Sequence, residues 1–325
     1  MRLPSSSGGH LPHSEGDTPA ARSLAEAITA RIAAVRRFAG PYLYLAPALA
    51  LLAFVYGYPL LQLLHLSTRK VITYSRTLDV GLANYRVLLA DPALHRALGN
   101  NARLLLAVPI LIVLSVLAAA VLYDRPRGWR PYRAVVFLPY VLAPPVIGVA
   151  FSYMLRLNGG INLALRSLGL DALALDWLGD PRVAPWTLLA VIVWKELGFG
   201  IVLFLARLLS AREDLYEAAA LDGANWWQRL WYITVPELGP VIEFYTFLEA
   251  ITMLSWVFAY VYAMTGGGPS NSTTVIEFYI YRKAFGIGSG GQQIGVAAAL
   301  SVVLMLAVLI VVTAQTLLRR RREAV

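Results

Sequence analysis

The sequence has no cysteine and few charged residues. Without cysteine, neither a disulfide framework nor a thiolate metal site can form, and the four scattered histidines show no metal-ligand spacing. Only 14% of the residues are charged, compared with roughly 25% in a soluble domain. Hydrophobic residues make up 58% of the chain, and the mean hydropathy is +0.62. This composition predicts an integral membrane protein with no metal and no cofactor of its own.

Lysine is scarce as well, with only Lys70, Lys195 and Lys283 in the chain. None of them stands in a G-x-x-x-x-G-K-[ST] loop, the glycine-rich segment that cradles ATP phosphates. We therefore predict that the chain does not hold ATP in that way and catalyses no reaction alone. The net charge of +9 lies mostly beside apolar runs, so it indicates membrane topology and attraction to lipid headgroups, not nucleic-acid binding.

Six apolar runs are each long enough to cross a bilayer, which requires about 20 helical residues. Because lipid offers no partner to backbone polar groups, uninterrupted runs of this kind indicate helices and not barrel strands. The sequence therefore predicts an all-α integral membrane fold with six transmembrane helices. We place the spans at residues 42–64, 100–123, 134–156, 184–207, 239–263 and 293–317.

Three arginine clusters set the predicted orientation. An even number of spans puts both termini on one side, and all three clusters share that side, which positive charge marks as cytoplasmic. The prediction is a multi-pass membrane protein with both termini in the cytoplasm. The clusters are Arg31, Arg36 and Arg37 before the first span, Arg125, Arg127, Arg130 and Arg133 in the second loop, and Arg319 to Arg322 after the last span.

The two chain ends differ from the six-span domain at 42–318. Residues 1–21 are rich in Ser, Gly and Pro and are predicted to form a disordered cytoplasmic tail. Residues 22–41 combine helical apolar spacing with basic residues, which predicts an amphipathic helix at the cytoplasmic membrane surface. Residues 319–325 form a short basic cytoplasmic tail.

Proline marks two positions in the predicted spans. Asp91-Pro92 predicts a helix start, with Asp91 as the cap and Pro92 in the first turn. Pro139, Pro144 and Pro145 in the third span predict a kinked or broken helix. Such a break suits either a bundle with a lined pathway or simple packing against neighbouring helices.

The polar loop at residues 208–238 lies between the fourth and fifth spans and carries a helical pattern of its own. Its first helix, over 215–221, is predicted to end at Gly223, since glycine takes the left-handed position without strain. Asn225 is predicted to cap a second helix that ends at Pro236. The pattern thus predicts a helix–turn–helix pair against the inner membrane face.

The first helix of this loop has a narrow alanine surface at 218–220, and Glu217 beside it can make a directed polar contact. Such a surface can enter a groove on another protein at little steric cost. The aromatic residues of the second helix suit the membrane interface. From these residues alone, docking on another protein and packing on the chain's own bundle both remain open.

The spacing of the same loop resembles the EAA motif of binding-protein-dependent ABC importer permeases. That motif reads E-A-A, three residues, G, nine residues, I-x-L-P, and this chain departs from it only at Val235, which replaces leucine. The resemblance implies a type I ABC importer permease fold in which residues 213–236 couple to a separate ATPase. The coupling residues it implies are Glu217, Ala218, Ala219, Asp222, Gly223, Ile233 and Pro236.

Other segments are similar to carbohydrate-importer permeases related to the maltose transporter. They are the block at 264–274 with 279–285, the segment at 80–85 with 97–100, and Trp194-Lys195 with Gly198-Phe199 in the fourth span. A lysine within a span would otherwise indicate a functional site, but the resemblance implies that Lys195 is ordinary in this family.

The resemblance also implies the partners and the mechanism. Such a subunit forms a heterodimeric pathway with a second permease in the cell (inner) membrane of a bacterium or archaeon. Its EAA helix docks on a cytoplasmic ABC ATPase dimer, which binds ATP and switches the pathway between inward-facing and outward-facing states. An extracytoplasmic solute-binding protein delivers the solute, implied to be a di- or oligosaccharide.

The fifth span carries the predicted solute contacts. Glu249, Met253, Trp256 and Tyr260 share one helical face by 3.6-residue spacing. A carboxylate can bond sugar hydroxyls while aromatic rings stack on apolar C–H surfaces, so this face is predicted to line the pathway. The alternative is that it packs on the partner subunit, with Glu249 bonded to a neighbouring helix.

Three other functions are alternatives to the sugar importer. The same machine could import glycerol phosphate, polyamine or iron; Arg103 and Arg156 near span ends would suit an anionic solute. A free-standing channel or secondary transporter would not need the docking loop. A polytopic membrane enzyme would need paired acids with histidine or a metal constellation in the spans, which Glu196, Glu243 and Glu249 do not form.

Overall fold

The computed structural model describes residues 44–73, 76–124, 129–210, 213–287 and 291–323. The predictions for residues 1–21 and 22–41 lie outside these described residues, as do Arg125 and Arg127 of the second loop. The chain divides into two compact units, residues 1–62 and 63–325. The first unit holds most of helix α1, which runs from Tyr44 to Ser67 and contains a π-helical stretch at Ala53–Gly57.

The second unit is helical apart from one short antiparallel hairpin, which the sequence does not predict. Its elements, in chain order, are β1 Arg69–Thr73, β2 Arg76–Asp79, α2 Ala83–Leu89, α3 Pro92–Leu104, α4 Ala107–Tyr123, α5 Trp129–Val141, α6 Pro144–Met154, α7 Gly160–Ser167, α8 Ala184–Leu209, α9 Glu213–Leu221, α10 Trp226–Arg229, α11 Val235–Ser255, α12 Phe258–Met264, α13 Ile276–Phe285 and α14 Ile294–Glu323. A 3-10 turn at Asp171–Leu173 and a π-helical turn at Leu230–Thr234 complete the list.

The prediction of six spans is confirmed among the described residues. Four helices are long and apolar enough to cross a membrane: Tyr44–Ser67, Pro92–Tyr123, Ala184–Leu209 and Ile294–Leu317. Two bent pairs raise the number to six if each pair is one span. These pairs are Pro131–Val141 with Pro144–Met154, and Trp226–Ser255 with Phe258–Met264.

The third span is broken where its prolines predict a break. Its two halves meet at 95°. Ala143 precedes Pro144 and is extended, with φ −63° and ψ 135°, because a proline ring disfavours the helical region for the residue before it. The predicted start of the helix α3 is also confirmed: Asp91 accepts a hydrogen bond from the Ala93 N–H, and Pro92 occupies the first turn.

The fifth span differs from its prediction. The second helix of the loop at residues 208–238 does not end at Pro236; α10, the π-helical turn and α11 form one continuous helix from Trp226 to Ser255. The helix continues although Pro236 has no N–H to donate. The proline lies in the first turn of α11, and the Val235 N–H before it bonds the Leu230 carbonyl across the π-helical turn. The real break follows Ser255, where α12 departs at 46°.

Helices α4, α8 and α11 form the centre of the second unit, around the buried side chains of Leu111, Ile192 and Tyr245. Gly200 of α8 permits this close approach, since a Cβ there would lie 2.4 Å from Ser115 Oγ and 2.6 Å from Tyr245 Oη. Small residues at helix crossings let membrane helices pack closely. The core therefore joins the second, fourth and fifth spans.

Candidate functional site: the coupling loop and the buried polar cluster

The first helix of the loop at residues 208–238, α9, ends as the sequence predicts. Gly223 has φ +78°, in the left-handed region that glycine adopts most readily. The Gly223 N–H donates to the Ala220 carbonyl at 3.1 Å, and the Ala224 N–H donates to the Ala219 carbonyl at 2.9 Å. This pair of bonds is the Schellman pattern of a helix C-terminus. The glycine therefore stops α9 and turns the chain toward α10.

A capping box starts the second helix of the loop. The Gln228 N–H donates to Asn225 Oδ1 at 2.9 Å, and the Asn225 N–H donates to Gln228 Oε1 at 2.7 Å. The prediction that Asn225 caps this helix is confirmed. Because both ends of the turn are fixed by hydrogen bonds, the turn between α9 and α10 has a defined geometry.

One side of α9 is open to solvent. Glu217, Ala218 and Asp222 are exposed, and Ala219 is partly buried. Leu221, the last residue of α9, has 89% of its surface exposed. Farther along the motif, Ile233 is partly buried and Pro236 is exposed.

An ion pair closes the base of the loop. Arg207 near the end of α8 donates to Glu237 Oε1 in the first turn of α11, at 2.5 Å. Both side chains are partly exposed, so the pair contributes modestly to stability. The pair joins the end of the fourth span to the start of α11, and so holds together the ends of the fourth and fifth spans that the loop connects.

Within the bundle, the fourth and fifth spans share a buried polar cluster. The Lys195 ammonium donates to Glu196 Oε1 at 3.0 Å and lies 4.6 Å from the centre of the Tyr140 ring. The Tyr260 hydroxyl donates to the same Glu196 oxygen at 3.2 Å. Lysine and glutamate pair with each other here, as intramembrane charges generally must. The sequence does not bring Glu196 and Tyr260 together, since the two residues lie 64 positions apart.

The four predicted solute contacts do not all lie on one face. Glu249, Met253 and Tyr260 are buried, whereas Trp256 has 73% of its surface exposed. The prediction of a single shared face is wrong for Trp256, because the helix breaks next to it and the 3.6-residue spacing does not continue across the break. Glu249 is 1% exposed, and its Oε2 atom has no hydrogen-bond partner among the described residues.

The two arginines considered for an anionic solute lie at the ends of spans. Arg103 donates to Asn100 Oδ1 at 2.8 Å. The Arg156 guanidinium lies 4.3 Å from the centre of the Tyr153 ring and lines an open groove with Ser152 and Asp176. Arg156 therefore lies where a solute could reach it. In the described part of the chain, no three His, Asp or Glu side chains come together as a metal site would require.

Residues 89–324 match the family model described as "Binding-protein-dependent transport system inner membrane component". The chain is 35% identical over 273 residues to a probable ABC transporter permease protein, YurN, of Bacillus subtilis, which covers 82% of this chain and 90% of that protein. It is 33% identical to the lactose transport system permease protein LacF of Rhizobium radiobacter, covering 75% of this chain and 83% of the relative.

A third relative has a different named solute. The sn-glycerol-3-phosphate transport system permease protein UgpA of Agrobacterium fabrum is 30% identical, covering 82% of this chain and 89% of the relative. Among solved structures, a chain of a bacterial ABC transporter involved in the import of the acidic polysaccharide alginate superposes with a TM-score of 0.73 at 22% identity. That match covers 88% of this chain and 97% of the other, and it shows a shared fold.

Proposed function

Because this chain belongs to the family of binding-protein-dependent transport system inner membrane components, we propose that it is the permease subunit of an ATP-driven sugar importer. It forms half of the translocation pathway and hydrolyses no ATP. The observation that carries this proposal is the coupling loop: a short helix with defined caps and an exposed face, placed between the fourth and fifth spans.

The coupling loop docks on a cytoplasmic ABC ATPase. Glu217, Ala218 and Asp222 lie on the exposed side of α9 and form the contact, with Leu221 as an apolar anchor at its end. A charged side chain beside a small apolar surface can enter a cleft at little steric cost and still make one directed bond. Gly223 sets the direction in which α9 leaves the bundle. Ile233 and Pro236 shape the return into the fifth span.

The remaining partners complete the importer. A second permease subunit supplies the other half of the pathway, and an extracytoplasmic binding protein delivers the solute. The solved alginate transporter is recorded in complex with a pentasaccharide-bound periplasmic protein, which supports this arrangement by similarity of fold. A cytoplasmic location of both termini and the coupling loop belongs to the same proposal, and the arginine-rich ends of the spans support it.

A di- or oligosaccharide is the proposed solute, with Glu249, Met253, Trp256 and Tyr260 as contacts. The Glu249 Oε2 atom, which has no partner in this conformation, can accept from a sugar hydroxyl when the helices separate. Trp256 already presents its ring at the break in the span. Replacing Glu249 with alanine should then lower solute uptake, and an unchanged uptake rate would count against the contact.

Glycerol phosphate is the second candidate solute. The similarity to UgpA and the exposed Arg156 guanidinium at the outer groove favour it, since guanidinium is well suited to phosphate. The purified cognate binding protein decides between the candidates: a calorimetric titration should give binding to lactose or another oligosaccharide, and binding only to glycerol 3-phosphate would overturn the sugar assignment.

A pair of glycine substitutions tests the docking role. Gly223 and Gly169 both have positive φ and open space around them, so tryptophan strains the backbone in the same way at either position. Gly223→Trp should abolish co-purification of the ATPase subunit and solute uptake, while Gly169→Trp, between α7 and the 3-10 turn, should leave the ATPase bound. Normal docking and uptake in Gly223→Trp would overturn the role of this loop.

A further inference from the structure

Side chains from three separate elements meet behind the exposed face of α9. Tyr216 projects from α9 itself, Tyr123 and Asp124 end the second span, and Trp226 and Thr234 begin the long helix of the fifth span. Together these residues line one narrow crevice at the cytoplasmic end of the bundle. The crevice therefore joins the proposed ATPase-binding helix to two spans that are distant from each other in the sequence.

Two contacts attach α9 directly. The Tyr216 hydroxyl lies 3.1 Å from the Thr234 hydroxyl, and Thr234 is only 4% exposed. The rings of Tyr216 and Tyr123 are 5.0 Å apart, tilted by 49°. The first contact links α9 to the fifth span and the second links it to the second span. The pair is partly buried, and breaking it would leave the buried Thr234 hydroxyl without this partner, which opposes rotation of α9.

A third contact joins the two spans to each other. The Trp226 indole N–H donates to Asp124 Oδ2 at 3.0 Å. Because Trp226 directly follows the capping residue Asn225, this bond also fixes the end of the turn that begins at Gly223. The second span, the fifth span and α9 thus form a closed triangle of side-chain contacts.

The π-helical turn at Leu230–Thr234 belongs to the same arrangement. Its bond from the Val235 N–H to the Leu230 carbonyl inserts one extra residue into the helix. An extra residue rotates every later side chain by about 100° relative to the earlier ones, since each residue of a helix advances by that angle. Leu230 and Thr234, at the two ends of the turn, are both buried.

We propose that Tyr216 and Thr234, with Trp226 and Asp124, form a rigid mount through which α9 moves the cytoplasmic ends of the second and fifth spans together. The proposal rests on the coupling function proposed for α9. These four side chains are positioning residues, because they face away from the surface that contacts the ATPase. Without the mount, α9 could turn about Gly223 while the spans stayed in place.

Distance measurements between spin labels test the mount in the whole complex. The native chain has no cysteine, so cysteine pairs can be introduced at Ala220 with Val121 and at Ala220 with Phe244, all exposed positions. The complex contains the second permease, the ATPase and the binding protein. Distances are recorded without nucleotide and with Mg-ATP and vanadate. With the mount intact, both distances should stay the same in the two states.

Tyr216→Phe removes the hydroxyl and keeps the ring, and Thr234→Val removes the other hydroxyl. In either variant the Ala220–Phe244 distance distribution should roughly double in width, because one hydrogen bond of the triangle is lost. Thr234→Ser keeps a hydroxyl and should restore the narrow distribution. Tyr232→Phe is the matched control, since that tyrosine is 80% exposed at the same turn, and it should change nothing.

Two results would overturn the mount. One is a distance from Ala220 to either span that changes between nucleotide states in the unsubstituted complex. The other is a distribution that stays narrow in both Tyr216→Phe and Thr234→Val. Failure of the proposed coupling function is recognised separately, because the ATPase subunit would then not co-purify with the unsubstituted permease at all.

Discussion

The loop at residues 208–238, which we propose to be the cytoplasmic loop, and the segment between the fifth and sixth spans, which we propose to be the outer segment, are both turn-rich connections, yet their side chains are used differently. The outer segment is bonded by asparagines of the second span: Asn101 donates to the Met253 carbonyl of the fifth span at 3.3 Å and accepts from the Ile276 N–H of the outer segment at 2.9 Å. Asn100 donates to the carbonyls of Asn271 and Thr274. The cytoplasmic loop instead leaves large apolar groups in solvent.

This difference indicates that the outer segment stabilises the fold, whereas the cytoplasmic loop is built to contact another protein. The outer segment is tied to the second span by buried hydrogen bonds, and its residues from Thr273 to Ile276 are buried. The cytoplasmic loop is held from behind by the mount and presents α9 outward. Exposed apolar groups on a well-defined helix indicate a surface for another protein. The comparison predicts that substitutions at the outer segment should change the stability of the fold, and that substitutions in the cytoplasmic loop should change transport.

The largest effect is expected from Glu217→Lys on the exposed face of α9. Reversing this charge places it against the ATPase group that binds the glutamate, and such a mismatch costs enough to reduce uptake by at least about tenfold. The melting temperature of the purified permease should not change, because Glu217 is exposed. Uptake into proteoliposomes and a thermal melt measure the two quantities. A large loss of melting temperature would show that α9 is structural.

Asn101→Ala should mainly lower the stability of the fold, in contrast to Glu217→Lys. It removes both hydrogen bonds of a buried side chain and leaves their partners unpaired, which should lower the free energy of unfolding by about 2–4 kcal/mol. Asn158→Ala, at an exposed asparagine of another outer loop, is the control and should change it little. Thermal unfolding in detergent measures both, and equal stability of the two variants would contradict the structural role of the outer segment.

The outer segment should also respond to pH through Glu277. Burial raises the pKa of this carboxyl to about 7, although the N–H groups of Phe258 and Val257 bond it and act in the other direction. The folded protein then retains a proton that the unfolded chain releases near the ordinary carboxyl pKa of 4.5. The free energy of unfolding should therefore fall as the pH rises from about 4.5 to 7, by about 3 kcal/mol.

Glu277→Gln checks the origin of that pH dependence. Glutamine stays neutral and can still accept from the two N–H groups, so the melting temperature should lose its slope between pH 5 and pH 8. A slope identical to that of the native protein would assign the effect to other groups.

Asp91 affects the free energy of unfolding at lower pH than Glu277 and in the opposite direction. Burial raises the pKa of Asp91. The hydrogen bonds from the Tyr279 hydroxyl and the Ala93 N–H, together with the charge of Lys283, lower this pKa by more than burial raises it, so that the net pKa lies below the ordinary value of 3.8. Its stabilising contribution is present above that pH and is lost as the pH falls through the folded-state pKa.

The smallest change in stability is expected at Leu221. This leucine is almost fully exposed, so Leu221→Ser should alter the free energy of unfolding by no more than about 0.5 kcal/mol. It should still weaken ATPase retention in a pull-down, because an apolar anchor is lost from the contact. Unchanged retention would remove Leu221 from the docking surface and leave the contact to Glu217 and the alanines.

Local signals in the sequence predict the parts of this fold that local chemistry controls. Asp91 before Pro92, Gly223 after α9 and Asn225 before α10 all act within a few residues, and each has the predicted role in the structure. The apolar runs likewise predict the spans. Proline predicts the break in the third span because its ring constrains the residue before it.

Other features depend on contacts between distant residues. Pro236 suggests a helix end, but the helix continues through Pro236 after the π-helical turn, and the break falls at Trp256 instead. That shift removes Trp256 from the face of Glu249. The contact of Tyr216 with Thr234 spans 18 residues, and that of Trp226 with Asp124 spans 102. No periodicity encodes such pairs, so the mount is visible only once the helices are packed.

Site-specific photo-crosslinking tests most directly whether the cytoplasmic loop is the surface that contacts the ATPase. A benzophenone side chain at Ala218 of α9 and, separately, at the exposed Ser270 of the outer segment can be irradiated in native membranes. The account predicts a crosslink to the ATPase subunit from position 218 and none from position 270. Absence of the ATPase crosslink at 218, or an equal yield at 270, would contradict it.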